Sequence, residues 1–86
     1  MGETRVQLTD DQHGDTVLVL NDQLFRRKTD AMGARNDRER CAIAGISRAS
    51  LHRWRRGSVV PSLVTLRGVA KRLDVEHSQL VREVTR

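Results

Sequence analysis

Between Gly33 and Ser62 the chain is cut into short lengths by residues that stop and start helices. Gly33, Gly45 and Gly57 stand where a helix closes on a left-handed residue. Asn36, Ser47 and Ser62 stand where a short polar side chain takes up the first free backbone N–H groups of a new helix. A chain punctuated this often folds into small helices that must share one core. It has no room for a long apolar run, so nothing in it spans a bilayer as a helix.

The segments between these marks carry helical periodicity. Asn21 or Asp22 caps a helix running to about Met32, with Leu24, Phe25 and Ala31 or Met32 turned inward. Asn36-Asp37-Arg38-Glu39 resembles a capping box, with asparagine in the place of the hydroxyl, and opens a helix through Ala44. Ser47 caps the next helix and Gly57 stops it. After the loop Ser58–Pro61, Ser62 caps a helix with Leu63, Leu66, Val69, Ala70 and Leu73 inward. Asp74-Val75 turns into a last helix that buries Leu80, Val81 and Val84.

The first twenty residues have a different texture. Arg5–Leu8 alternates polar and apolar, Thr9–Asp15 is rich in turn formers, and Thr16–Leu20 is β-branched and apolar. This predicts a β-hairpin over 1–20, followed by a helical domain over 21–86. The hairpin either packs on its own domain or pairs with its twin across a dimer axis, and the apolar Val17–Leu20 disfavours the third reading, a disordered arm.

Charge divides the chain in the same way. Residues 1–22 hold one basic and five acidic side chains, whereas 23–86 hold fifteen basic and six acidic. A small domain with that excess repels itself unless a polyanion is near, so nucleic acid is the first partner to consider and an anionic membrane surface the second. Arginine outnumbers lysine fourteen to two, which suits bidentate contact to guanine and phosphate and also fits GC-rich coding. Cys41 stands alone, so no internal disulfide forms, and a reducing cytoplasm is expected. No basic start followed by an apolar stretch marks a secretory signal.

The segment Ser47–Gly57, SRASLHRWRRG, concentrates these properties. At 3.6 residues per turn, Ala49, His52, Arg53 and Arg56 fall on one side and Ser50, Leu51 and Trp54 on the other. One face buries an indole and a leucine while the other offers charge and hydrogen-bond donors.

The wider pattern is Cys41-Ala42-Ile43-Ala44-Gly45-Ile46-Ser47, then Leu51, Trp54, Gly57, Pro61-Ser62-Leu63, Leu66, Ala70-Lys71, Leu73, Val75 and Leu80. Over roughly 22–84 it closely resembles the Cro/C1-type helix-turn-helix family, also called the xenobiotic-response-element family. The resemblance implies a mainly α, five-helix, lambda-repressor-like domain, here preceded by the short hairpin. It places Arg48, Ala49, His52 and Arg53 at base edges. Arg53 is the foremost candidate for guanine, Ala49 for close approach or a thymine methyl. Asn36, Arg38, Ser47, Arg55 and Arg56 are the expected phosphate contacts. Ser47 also serves as a cap, and Arg55 and Arg56 also suit the helix dipole.

Four departures stand out. Arg40 replaces the family's leucine and is expected to run its stem along the surface with its head in water. Asp37 replaces a phosphate-touching glutamine, where a carboxylate repels phosphate. Arg55 replaces a common glutamate, and Glu76 takes a capping place often held by serine.

Enzymatic chemistry finds no support. His13, His52 and His77 are scattered, no nucleophile motif surrounds them, and with one cysteine they lack zinc spacing. No cofactor or metal is expected. The expectation is a cytoplasmic, homodimeric regulator on a (pseudo)palindromic double-stranded operator, most simply a repressor of phage, prophage or plasmid type. An autoregulating antitoxin and a restriction–modification controller stand within the same class. A protein-interaction module using a basic face is the alternative outside it.

Overall fold

The computed structural model describes residues 16–85. They form strand β1 (Thr16–Leu20), helices α1 (Asp22–Ala31), α2 (Asp37–Ala44), α3 (Arg48–Arg56) and α4 (Leu63–Leu73), a 3₁₀ turn (His77–Leu80), and strand β2 (Val81–Thr85). The architecture is mainly helical, with a two-stranded antiparallel sheet.

Each helix starts where the polar caps predict. The Asn21, Asn36, Ser47 and Ser62 side chains accept the backbone N–H groups of Leu24, Glu39, Ser50 and Thr65, at 3.4, 2.9, 3.0 and 3.3 Å. The capping box at Asn36 is only half formed. Glu39 does not return to the Asn36 N–H; it accepts instead from the N–H and guanidinium of Arg35, at 2.7 and 2.9 Å. Gly45 and Gly57 close α2 and α3 at φ of 77° and 78°. Asp74, which closes α4, adopts the same left-handed region without being glycine.

The core joins one stripe from every helix. Leu24 and Phe25 of α1, Cys41 and Ala44 of α2, Leu51 and Trp54 of α3, and Leu66, Val69, Ala70 and Leu73 of α4 meet Leu20 and Leu80. Two expected core positions lie outside it. Ala31 and Met32 are exposed, and Thr29 occupies the buried place on α1. Thr29 is tolerated there because its hydroxyl donates to the Phe25 carbonyl one turn back, at 2.8 Å, which satisfies it without water. Leu63, in the first turn of α4, is half exposed because it precedes the part of the helix that other elements cover.

The expected last helix does not form, and four α-helices rather than five occur among the described residues. The Glu76 N–H donates to Gln79 Oε1 at 3.0 Å, which closes a single 3₁₀ turn. Val81–Thr85 then pairs with Thr16–Leu20 in the register Leu20↔Val81, Val19↔Arg82, Leu18↔Glu83, Val17↔Val84 and Thr16↔Thr85. The β-branched run TVLVL needs a partner for its backbone, and the β-branched Val81 and Val84 suit the pleat better than a helix. The hairpin partner expected for β1, Arg5–Leu8, lies outside the described residues.

The sheet is fastened to the helices at its inner end. The Asn21 N–H donates to the Leu80 carbonyl at 2.8 Å, and its Nδ2 donates to the Gln79 carbonyl at 3.0 Å. One asparagine thus caps α1 and ties it to the chain entering β2. β1 also packs against α3, so the terminal sheet backs the arginine-rich helix.

Candidate nucleic-acid interface

Trp54 and Leu51 fix the orientation of α3. They are 0% and 2% exposed, so rotating the helix would pull an indole and an isobutyl group into water, at about 1.5–3 kcal/mol each. The rotation that buries them leaves Arg48, Ala49, His52, Arg53 and Arg56 exposed. The side chains expected at base edges therefore share a surface with one expected at phosphate. Ala49 has no bulk, and a depression lies beside it, lined by Asp37, Arg48, Leu51, His52 and Arg55. Arg53 borders a second cleft, with Ile46, Ser50, Val59, Pro61 and Thr65. His52 Nε2 is 3.5 Å from Arg56 Nη1, one turn on, so the two side chains stand together at the end of the helix.

The turn between α2 and α3 is held tightly. The N–H groups of Gly45 and Ile46 both donate to the Cys41 carbonyl, at 2.7 and 3.2 Å. A Cβ on Gly45 would lie 2.9 Å from Arg72 Nε, because the Arg72 guanidinium lies over the turn with Nη1 3.5 Å from the Ile43 carbonyl. Arg72 is an exposed residue near the end of α4. Only the fold shows that it sits at the α2–α3 turn.

Asn36, Arg38 and Ser47 are exposed at the starts of α2 and α3. Asn36 Oδ1 and Ser47 Oγ are occupied as caps, while the Asn36 Nδ2 and Arg38 guanidinium groups remain cationic or donor surface beside a helix N-terminus.

Arg55 departs from the expected arrangement. Its Nε donates to Asp22 Oδ1 at 2.8 Å, and its Nη1 and Nη2 donate to Asp37 at 2.7 and 3.1 Å. Only a fifth of the side chain is exposed. All three nitrogen donors point into the protein, so Arg55 is a strut joining α3 to α1 and α2 and not a phosphate clamp. The two carboxylates hold its guanidinium more firmly protonated than usual. The hydrogen bond from Arg55 in turn pulls the Asp37 carboxyl below the ordinary aspartate range.

Arg40 departs as well. Its head does not sit in water: Nη2 meets Asp30 at 2.7 Å and Nη1 meets Asp37 at 3.4 Å, with the side chain 12% exposed. Together with the Arg26–Asp22 pair at 2.7 Å, these contacts make a chain of three arginines and three aspartates across α1, α2 and α3. The Asp37 carboxylate, expected to repel phosphate, is neutralised within that chain. Asp37 and Arg55 carry opposite charges eighteen residues apart in sequence. Nothing local showed that they meet.

Among the described residues, no group of three or more histidine, cysteine or acidic side chains is placed to hold a metal ion. No helix among them is long and apolar enough to cross a membrane. Cys41 is buried, and desolvation pushes its thiol above the ordinary range. Comparison with family models, curated proteins and solved structures finds no match to this chain.

Proposed function

We propose that this protein is a sequence-specific double-stranded DNA-binding transcriptional regulator, a repressor of the Cro/C1 helix-turn-helix type. The observation that carries the reading is the split face of α3: Leu51 and Trp54 locked in the core, Arg48, Ala49, His52 and Arg53 outward. A helix held by its own core and preceded by a tight glycine turn after a shorter helix is suited to lie in a major groove.

In this reading Arg53 donates two hydrogen bonds to O6 and N7 of a guanine, worth about 1–3 kcal/mol of discrimination. Ala49 lets the helix approach closely, and Arg48 and His52 address neighbouring edges. Asn36, Arg38, Ser47 and Arg56 hold phosphates and set the register. Arg55 acts through the protein, keeping α3 at a fixed angle to α1 and α2. Two copies place their α3 helices in successive major grooves, about 34 Å apart. Bound at a promoter, the pair excludes RNA polymerase.

The test is a salt titration of duplex binding. With Arg38 and Arg56 neutralising about two phosphates per copy, affinity falls with a log–log slope of about −1.8 per copy. An affinity that ignores salt, or that survives removal of Arg48, Arg53 and Arg56 together, contradicts the reading and favours a protein-interaction module.

A further inference from the structure

The cleft bordered by Arg53 differs from the rest of the α3 surface. It measures about 110 Å³, and its other walls are Ile46, Ser50, Val59, Pro61 and Thr65. Among the described residues that line it, only Arg53 is charged. Ser58–Leu66, which supplies three of the walls, contains no charged side chain. Both hydroxyls are already engaged: Ser50 Oγ accepts from Ser47 Oγ at 3.0 Å, and Thr65 Oγ1 accepts from Ser62 Oγ at 3.2 Å. Val59 is 52% exposed, which leaves an aliphatic side chain open to water beside a guanidinium. Its loop is tied to α3, the Ser58 N–H donating to the Arg53 carbonyl at 3.0 Å.

We propose that this cleft seats the C5-methyl group of a pyrimidine next to the guanine that Arg53 reads, and that Val59 sets the preference for it. The assignment rests on the DNA-binding reading and names the base step that α3 selects. Chemistry chooses the occupant. A phosphate needs a cation or free donors, and in that reading Arg53 is engaged at guanine. The methyl of thymine is the apolar group that the major groove displays, and 5-methylcytosine carries the same group at the same carbon. Successive nucleotides lie about 3.4 Å apart along a strand, so a cleft that shares Arg53 with the guanine contact meets the edge of the neighbouring pair. An apolar cavity of about 150 Å³ takes a benzene ring, so the smaller cleft takes a methyl group and the ring edge that bears it. Ala49 lies at a different depression, with Arg48 and His52, so its contact is a separate one.

One methyl group sets the size of the effect. Moving it from water into an apolar cleft tightens binding about fourfold. Losing a bidentate guanine contact costs about fivefold or more. The cleft therefore refines a preference that Arg53 sets.

The experiment measures the affinity of the full chain for synthetic duplexes that share the sequence it enriches from a random pool. They differ only at the pyrimidine beside the guanine, tested on each side in turn: thymine, uracil, cytosine or 5-methylcytosine. Thymine and uracil differ by one methyl and by no hydrogen-bonding group, as do 5-methylcytosine and cytosine. The methylated base of each pair is expected to bind about fourfold tighter. A preference within one pair alone still supports the cleft and names the base it takes. Val59→Ser is expected to keep its circular dichroism, its guanine preference and its affinity for the uracil duplex, and to lose the discrimination between thymine and uracil. Equal affinity within both pairs, on a duplex whose guanine preference survives, overturns this proposal alone. So does a Val59→Ser chain that discriminates as wild type does. A chain that prefers no duplex over random sequence overturns the DNA reading and this proposal with it.

Discussion

Arg53 and Arg56 stand one turn apart on α3, yet they are assigned different work. Arg53→Ala is expected to relax preference at one base pair per half-site and change affinity for random duplex little. Arg56→Ala is expected to weaken all sequences alike and flatten the salt slope by about one. Competition binding with single-base operator variants separates them. Arg55, between them in sequence, behaves as neither. Arg55→Ala leaves Asp22 and Asp37 without their shared cation and is expected to cost about 1–2 kcal/mol of stability by urea unfolding, with the salt slope unchanged. Arg55→Lys recovers only part, since one ammonium replaces a fork that reaches two carboxylates. The Asp37 carboxyl titrates below its unfolded value, so its contribution is complete above about pH 4 and is lost as pH falls through the folded value. Thermal melts of Asp37→Asn are expected to fall less steeply with acid than wild type. A variant with the same acid slope would show that Asp37 is not the titrating partner.

Elements were legible wherever the signal was local. Asn36, Ser47 and Ser62 announce α2, α3 and α4, and Gly45 and Gly57 end the first two, because a cap is made by a residue and its near neighbours. Gly45→Ala meets both a positive φ and the Arg72 guanidinium and is expected to cost about 1–2 kcal/mol. Asp74→Gly, at the left-handed end of α4, is expected to gain about 0.5 kcal/mol. What the sequence hid was long-range. Nothing near Val81–Thr85 says that its backbone partner is Thr16–Leu20, so period alone favoured a helix there. Arg55 and Arg40 look like any exposed cation until the fold brings Asp22, Asp30 and Asp37 beside them. Thr29 looks polar until its hydroxyl finds the Phe25 carbonyl. The sheet makes its own prediction. Leu20 is a core residue and Leu18 is not, so Leu20→Ala is expected to cost about 2–4 kcal/mol and Leu18→Ala under about 1. Equal costs in chemical denaturation would contradict the observed pairing.

At the scale of the whole molecule, a frame braced by ion pairs carries the exposed cationic face of α3. Three arginines are spent on three aspartates to brace α1, α2 and α3, the terminal sheet backs α3, and the remaining exposed charge on α3 faces outward. Supports remote from the face therefore matter to it. Ending the chain after Leu80 removes β2, the backbone partner of the strand that packs on α3, and is expected to lower duplex affinity without touching a proposed contact. Sequence reading by the exposed face of α3 is tested most directly by sequencing the duplexes that the wild-type chain and Arg53→Ala each enrich from a random pool. The expected result is a two-fold symmetric motif for wild type, with a guanine preference in each half that Arg53→Ala loses while the rest of the motif remains. No enriched motif, or one that Arg53→Ala leaves unchanged, would contradict it.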